Sequence, residues 1–261
     1  MNRPLYLLLL PVLFFTLSFT QTENPVVKSK EKFKVLAIAE SGGHHIKYTE
    51  RAKIWLAEMA KKHNFTIDYI QHADPINETY LDQYQLFIQL DFPPYTWSDK
   101  SKEAFQNYIE KGKGGWIGFH HATLLGEFDG YTMWNWFSNF MGGIRWKGYI
   151  ATFASATVSV EDSKHPSMKG IPSNFIVENE EWYTYDKSPR DGVHVIASVI
   201  ESTYRPDSEV KMGDHPVIWT NEKMKARNIY IFMGHSPDLF NNADYKKLLE
   251  NSILWAAATN K

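Results

Sequence analysis

Apolar residues along this chain fall first into short, almost unbroken runs and then, between those runs, at helical spacing. Phe33 to Ala39 (FKVLAIA) is the pattern of a strand covered on both faces. After the loop ESGGHH, residues 49–63 place Ala52, Leu56, Met59, Ala60 and His63 on one helical face, with Thr49 as the predicted N-cap. The unit recurs. FTIDYIQ (65–71) and QLFIQLDF (85–92) read as strands, and Ser98 to Lys111 as a helix with Ala104, Phe105, Tyr108 and Ile109 inward and Gly112 closing it. GGWIGF follows as a fourth buried strand, then an aromatic-rich helix is predicted from Tyr131 to Phe140.

From 149 to 220 the texture changes to strand-like runs (TFASATVSV, SNFIVENEEWYTY, VHVIASVI, HPVIWT) broken by Pro, Gly and Asp signals. ARNIYIFMGH (226–235) restores a buried strand, and Tyr245 to Ala258 supplies a last helix. This alternation predicts one α/β domain over 33–261. Its sheet is doubly wound and mostly parallel, with a β-rich antiparallel insertion before the last strand.

The first residues change where such a domain is expected to work. MNRPLYLLLLPVLFFTLSFTQ has a lone Arg3 and an apolar run from Leu5 to Phe19, short for a membrane span and suited to a signal-peptide core. A signal peptide over 1–20, a polar lead-in over 21–32 and a secreted or periplasmic product with no stable membrane span after processing are therefore expected. An uncleaved anchor is the alternative. The absence of cysteine excludes thiol nucleophiles, disulfides and thiolate metal sites. A net charge of -2 without a basic run gives no footprint for nucleic acid.

Chemistry-bearing residues concentrate where the predicted strands end. In an open parallel sheet, ligands bind outside the carboxyl ends of the strands. Three such strands end in histidine-bearing loops: Ser41-Gly42-Gly43-His44-His45, His120-His121 and Gly234-His235-Ser236, together half of the ten histidines. Glu178-Asn179-Glu180-Glu181-Trp182-Tyr183 brings carboxylates and aromatics from the insertion, and Asp91 ends the third strand. Neighbours in a strand point to opposite sides, so one of Glu180 and Glu181 is expected to face the site. Neutral imidazoles with a carboxylate suit a divalent cation and equally an acid/base pair near neutral pH. A polar turn satisfied by backbone carbonyls would explain each His-His pair taken alone.

At these stretches the sequence resembles the ThuA-like, trehalose-utilisation family. The matching residues are the GGHH loop, GGWIGFHHAT, MGG at 141–143, HPSMKGIPSNFIVENEEWYTYD, MGDHPVIWT and IYIFMGHSPDLF, spread over nearly all of the chain after the leader. The resemblance implies a fold similar to the class I glutamine amidotransferase and flavodoxin-like group, and a role in handling sugars, including keto-sugar intermediates. In those amidotransferases the turn after the equivalent strand carries a nucleophilic cysteine. Here it carries Phe119-His120-His121, so glutaminase chemistry is not expected.

Together these observations predict an exported carbohydrate-processing protein, an enzyme of isomerase, hydrolase or lyase type acting on a sugar or keto-sugar. His121 and Glu181 are the candidate catalytic residues, and His45, His120 and His235 the candidate ligands of a zinc-like divalent metal. His44, Asp91, Trp182, Tyr183 and Ser236 are the candidate substrate contacts. The same residues could instead form a metal-free hydrogen-bonding cluster around a sugar. The alternative function is a non-catalytic sugar-binding module of a polysaccharide-utilisation system. Hydrolysis by two carboxylates would need a partner opposite Glu181, for which Asp91 is the candidate.

Overall fold

The structure, a computed structural model, describes residues 31–40 and 43–258. The expected signal peptide, most of the lead-in, and Ser41 and Gly42 lie outside the described residues. The strands are β1 (Lys34–Ala39), β2 (Thr66–Ile70), β3 (Leu86–Leu90), β4 (Gly115–Phe119), β5 (Trp146–Tyr149), β6 (Ala154–Val160), β7 (Asn174–Glu180), β8 (Tyr183–Tyr185), β9 (His194–Arg205), β10 (Pro216–Thr220) and β11 (Asn228–Ile231). The helices are α1 (Ile46–His63), α2 (Glu78–Leu81), α3 (Asp99–Glu110), α4 (Asn135–Phe140) and α5 (Ala243–Ala257).

Nine strands form one sheet in the order β2-β1-β3-β4-β11-β10-β9-β6-β7. The first five are parallel, in the flavodoxin-like order, and the other four continue the sheet antiparallel. Alternation along the strands explains both covering layers. Ile88 and Leu90 of β3 and Ile117 and Phe119 of β4 meet Ala52 and Leu56 of α1 and Leu249 and Ile253 of α5. The intervening Phe87 and Trp116 meet Phe105 of α3 and Phe137 and Phe140 of α4 on the opposite face. The centre of the sheet is therefore buried on both sides, as the continuous apolar runs of β3 and β4 require, whereas β2 and β7 at its edges are partly exposed. Strands β5 and β8 pair antiparallel in a separate ribbon.

Two helix starts differ by several residues from the pattern-based prediction. Helix α1 begins three residues before Thr49, with His45 at the cap position, and Thr49 lies inside it, its N–H bonded to His45 O at 3.0 Å. Tyr48, fully buried, is the first core residue of that face, ahead of the apolar spacing that marks the later turns. The aromatic helix starts at Asn135 rather than Tyr131. Phe128 and Tyr131 instead pair across Asp129-Gly130, both at positive φ, the Asp-Gly hairpin turn.

Candidate functional site

Chain reversal between β1–β2 and β1–β3 makes the carboxyl ends of β1 and β3 the switch point of the sheet. His45 follows β1, Asp91 follows β3, His120 and His121 form a 3-10 turn after β4, and His235 follows β11. Glu180 ends β7, so that Glu181, on the short connection to β8, reaches the same place from the insertion. Asp91, His120 and Asn179 all take positive φ, which aims the chain sharply out of each strand. The His120 turn is pinned from behind. Thr123 Oγ1 and Tyr230 OH donate to His120 O at 3.0 and 3.1 Å.

His45 is the hub. Its ring centroid lies 4.0 Å from that of His121, 4.2 Å from His235 and 5.1 Å from His120. Glu181 Oε2 is 3.1 Å from His120 Nε2 and 3.6 Å from His235 Nδ1. Asp91 Oδ2 is 3.1 Å from His45 Nδ1, while Oδ1 accepts from the His121 backbone N–H at 3.3 Å and lies 3.5 Å from its Nδ1. Two donor sets follow, His45-His120-Glu181-His235 and His45-Asp91-His121, each with its ligand atoms within 4.8 Å of one another. Donors around a tetrahedral zinc at ~2.0–2.1 Å stand about 3.3 Å apart, so the first set needs only a small inward movement to close on an ion.

Hydrogen bonding and charge fit a cation. His45 Nε2 is buried without a hydrogen-bond partner, and His45 Nδ1 and Asp91 Oδ2, 3.1 Å apart, are not aligned for a hydrogen bond. Buried polar atoms are ordinarily satisfied, so imidazole nitrogens gathered here are available to hold a ligand. Burial, with the neighbouring imidazoles acting in the same direction, holds His45 far below the usual histidine range and His121 down to about 3. Burial also lowers His120. All three are thus neutral, the ligating form, at physiological pH. Burial alone would raise Glu181, but the His120 and His235 rings outweigh it and keep the carboxylate ionised. Asp91 goes the other way, pushed well up by burial and by Glu40, Glu180 and Glu181.

Three of the sequence-predicted contacts sit elsewhere. Trp182 is fully buried, stacked on Phe232 at 5.4 Å with its indole N–H donated to Ala154 O at 2.7 Å, so it is a core residue. His44 is exposed, outside both donor sets. Ser236 is buried, its Oγ accepting from Asp238 N and its own N–H donated to Glu180 Oε2, so it shapes the loop. Tyr183, by contrast, lies against His120 with centroids 4.1 Å apart.

Sequence reasoning left Glu180 as the alternative to Glu181 and did not single out Glu40. Glu180 is fully buried and accepts N–H bonds from Glu181, His235 and Ser236, tying the loop after β11 to the end of β7. Burial raises it to about 8 against those donors. Glu40, at the end of β1, lies 4.0 Å from His121 Nδ1 and is likewise raised by burial. The strand-end rule that selected the histidines applies equally to Glu40.

The family model for trehalose utilisation (ThuA) matches residues 34–256. The chain belongs to the ThuA family. A ThuA-like protein from Bacteroides uniformis superposes with a TM-score of 0.78 at 28% identity, covering 89% of this chain and 95% of that one. A second ThuA-like protein, from Parabacteroides merdae, gives 0.60 at 16%, covering 88% and 92%. A GMP synthase protein from Thermoplasma acidophilum gives 0.53 at 14%, covering 86% and 94%, a likeness of fold alone. No curated protein matches the chain. The ThuA match and these neighbours agree with the expected amidotransferase-like architecture. In this ThuA chain, which has no cysteine, the turn after β4 holds His120 and His121.

Proposed function

We propose that the protein is an exported, divalent-metal-dependent enzyme acting on a sugar or keto-sugar derivative. The observation that carries this reading is the convergence of His45, His120, His235 and Glu181, three imidazoles and one carboxylate, from four separate connections onto one point. That donor set suits zinc or a similar borderline cation. The trehalose-utilisation family supplies the carbohydrate. Bound there, the ion would polarise a substrate carbonyl as a Lewis acid.

The remaining groups then handle protons. His121, neutral and beside Asp91 and Glu40, is placed to take the acidified C–H proton next to the carbonyl, with the electron pair moving onto the carbonyl oxygen as an enediolate. Return of the proton to the neighbouring carbon gives isomerisation. Departure of a glycosidic oxygen from the next carbon with the C–O bonding pair, as the enediolate pair forms the new C=C bond and His121 returns its proton to the leaving oxygen, gives eliminative cleavage. Tyr183, buried against His120, backs the site. Incubating the purified protein with 3-keto-glucosides, with and without chelator, tests the reading. Turnover that chelation abolishes and zinc restores is expected. Saccharide binding without turnover across several such substrates, metal present, would instead leave a binding module.

A further inference from the structure

Two fully buried tyrosines join elements that carry site histidines. Tyr48 stands in the first turn of α1, directly after His45, and Tyr245 in the first turn of α5. Their hydroxyls meet at 2.7 Å, and the Tyr245 hydroxyl also reaches the Met233 carbonyl at 3.0 Å. Burial pushes both phenols well above the usual tyrosine range, so each keeps its single proton. A carbonyl only accepts. The Tyr245 proton therefore goes to Met233 O, and the Tyr48 proton to the Tyr245 oxygen. The bonds run in one direction, from α1 through α5 to the loop after β11. Glu180 grips that loop a second time by accepting the N–H groups of His235 and Ser236 at 3.1 and 3.4 Å.

Packing alone does not call for these hydroxyls. Phe119 and Phe240 lie 6.4 and 5.5 Å from the Tyr48 ring, and Phe240 lies 5.8 Å from the Tyr245 ring, contacts that phenylalanine would make equally well. Burying a hydroxyl costs free energy unless it is hydrogen-bonded, so what the pair adds to the core is a directed link. We infer that Tyr245 is a positioning residue for the strand-end site: its hydroxyl, bonded to Tyr48 and Met233, fixes the loop bearing His235 relative to the helix bearing His45. Those two rings lie 4.2 Å apart, and ligands must be held within about 0.5 Å of the geometry that an ion requires. The consequence for ion affinity rests on the metal reading of the site. The link between the two elements does not.

Tyr245→Phe removes one oxygen and keeps the ring. Tyr108→Phe is the control, because the Tyr108 hydroxyl is also fully buried and donates to a backbone carbonyl, Tyr84 O at 3.0 Å, but stands beside Gly114, at the other end of β4 from His120. In chelator-treated protein, NMR of the histidine ring C–H signals is expected to show His45 and His235 displaced in Tyr245→Phe and unmoved in Tyr108→Phe, at comparable loss of melting temperature. Zinc affinity should fall roughly tenfold in Tyr245→Phe alone, and the visible absorption of the cobalt-substituted protein should change with it. Tyr48→Phe cuts the link to α1 while Met233 stays bonded; it should displace the His45 signals, and it supplies the test if Tyr245→Phe does not fold. Unmoved His45 signals in both variants, equal displacement in Tyr108→Phe, or zinc binding that Tyr245→Phe leaves intact would overturn the positioning role. Displaced signals in a protein whose wild type takes up no zinc would uphold that role and contradict the metal reading alone.

Discussion

His120 and Glu181, 61 positions apart in the chain, meet with Nε2 3.1 Å from Oε2, across the join between the parallel sheet and its antiparallel extension. Each accounts for the other's state. The ring helps keep the carboxylate ionised although it is largely buried, and the carboxylate gives the buried ring a partner. Glu181→Gln keeps the shape and removes the charge. Zinc affinity, measured by competition with a chromophoric chelator, is expected to fall at least about 100-fold, with far-UV circular dichroism unchanged.

Without metal, pH acts on stability in two opposed ways. His45 and His121 have folded values depressed from 6.5, so the unfolded chain binds more protons below that value, and stability falls as pH drops through it. Glu180 is raised from 4.5 to about 8, so the stability tied to its protonated form is lost as pH rises toward 8. Between pH 6.5 and 8 only the second effect remains. Chelator-treated protein should therefore lose on the order of several degrees of melting temperature over that interval, and Glu180→Gln should reduce the loss, leaving the part that Asp91, also raised by burial, contributes.

Much of the fold and the site is legible in the sequence, for identifiable reasons. The runs at 33–39, 85–92 and 114–119 are buried on both faces, and such strands cannot be disguised by surface chemistry. Histidines at the ends of three of the parallel strands fall on one edge by topology alone. What period-two reasoning cannot give is which neighbour turns inward once the chain leaves the strand. Asn179 at positive φ breaks the alternation, so that Glu180 is buried beneath the site, Glu181 lines it and Trp182 goes into the core. Thr49 reads as a cap because the helix begins before its apolar spacing does, at His45, itself a site residue.

The close approach of two loops makes Gly234 sensitive. A Cβ there would lie 2.9 Å from His120 Cβ and 3.2 Å from Phe119 Cβ. Since His120 is fully buried and pinned through its carbonyl, it has little room to yield. Gly234→Ala is expected to weaken zinc binding roughly tenfold while the protein stays folded, checked by titration alongside thermal unfolding.

The burial of Trp182 separates packing from binding. Trp182→Ala should cost about 3–5 kcal/mol in urea unfolding, as a cavity opens beside Phe232 and Tyr204. A residue that touched the sugar would instead weaken saccharide binding with little change in stability.

The central claim, that His45, His120, His235 and Glu181 close on one ion, is tested most directly by titrating zinc into chelator-treated protein in a calorimeter at pH 7. One ion per chain, bound in the wild type and lost in His120→Ala, is the predicted result. A wild-type protein that takes up no zinc, or takes up as much as His120→Ala does, would contradict it.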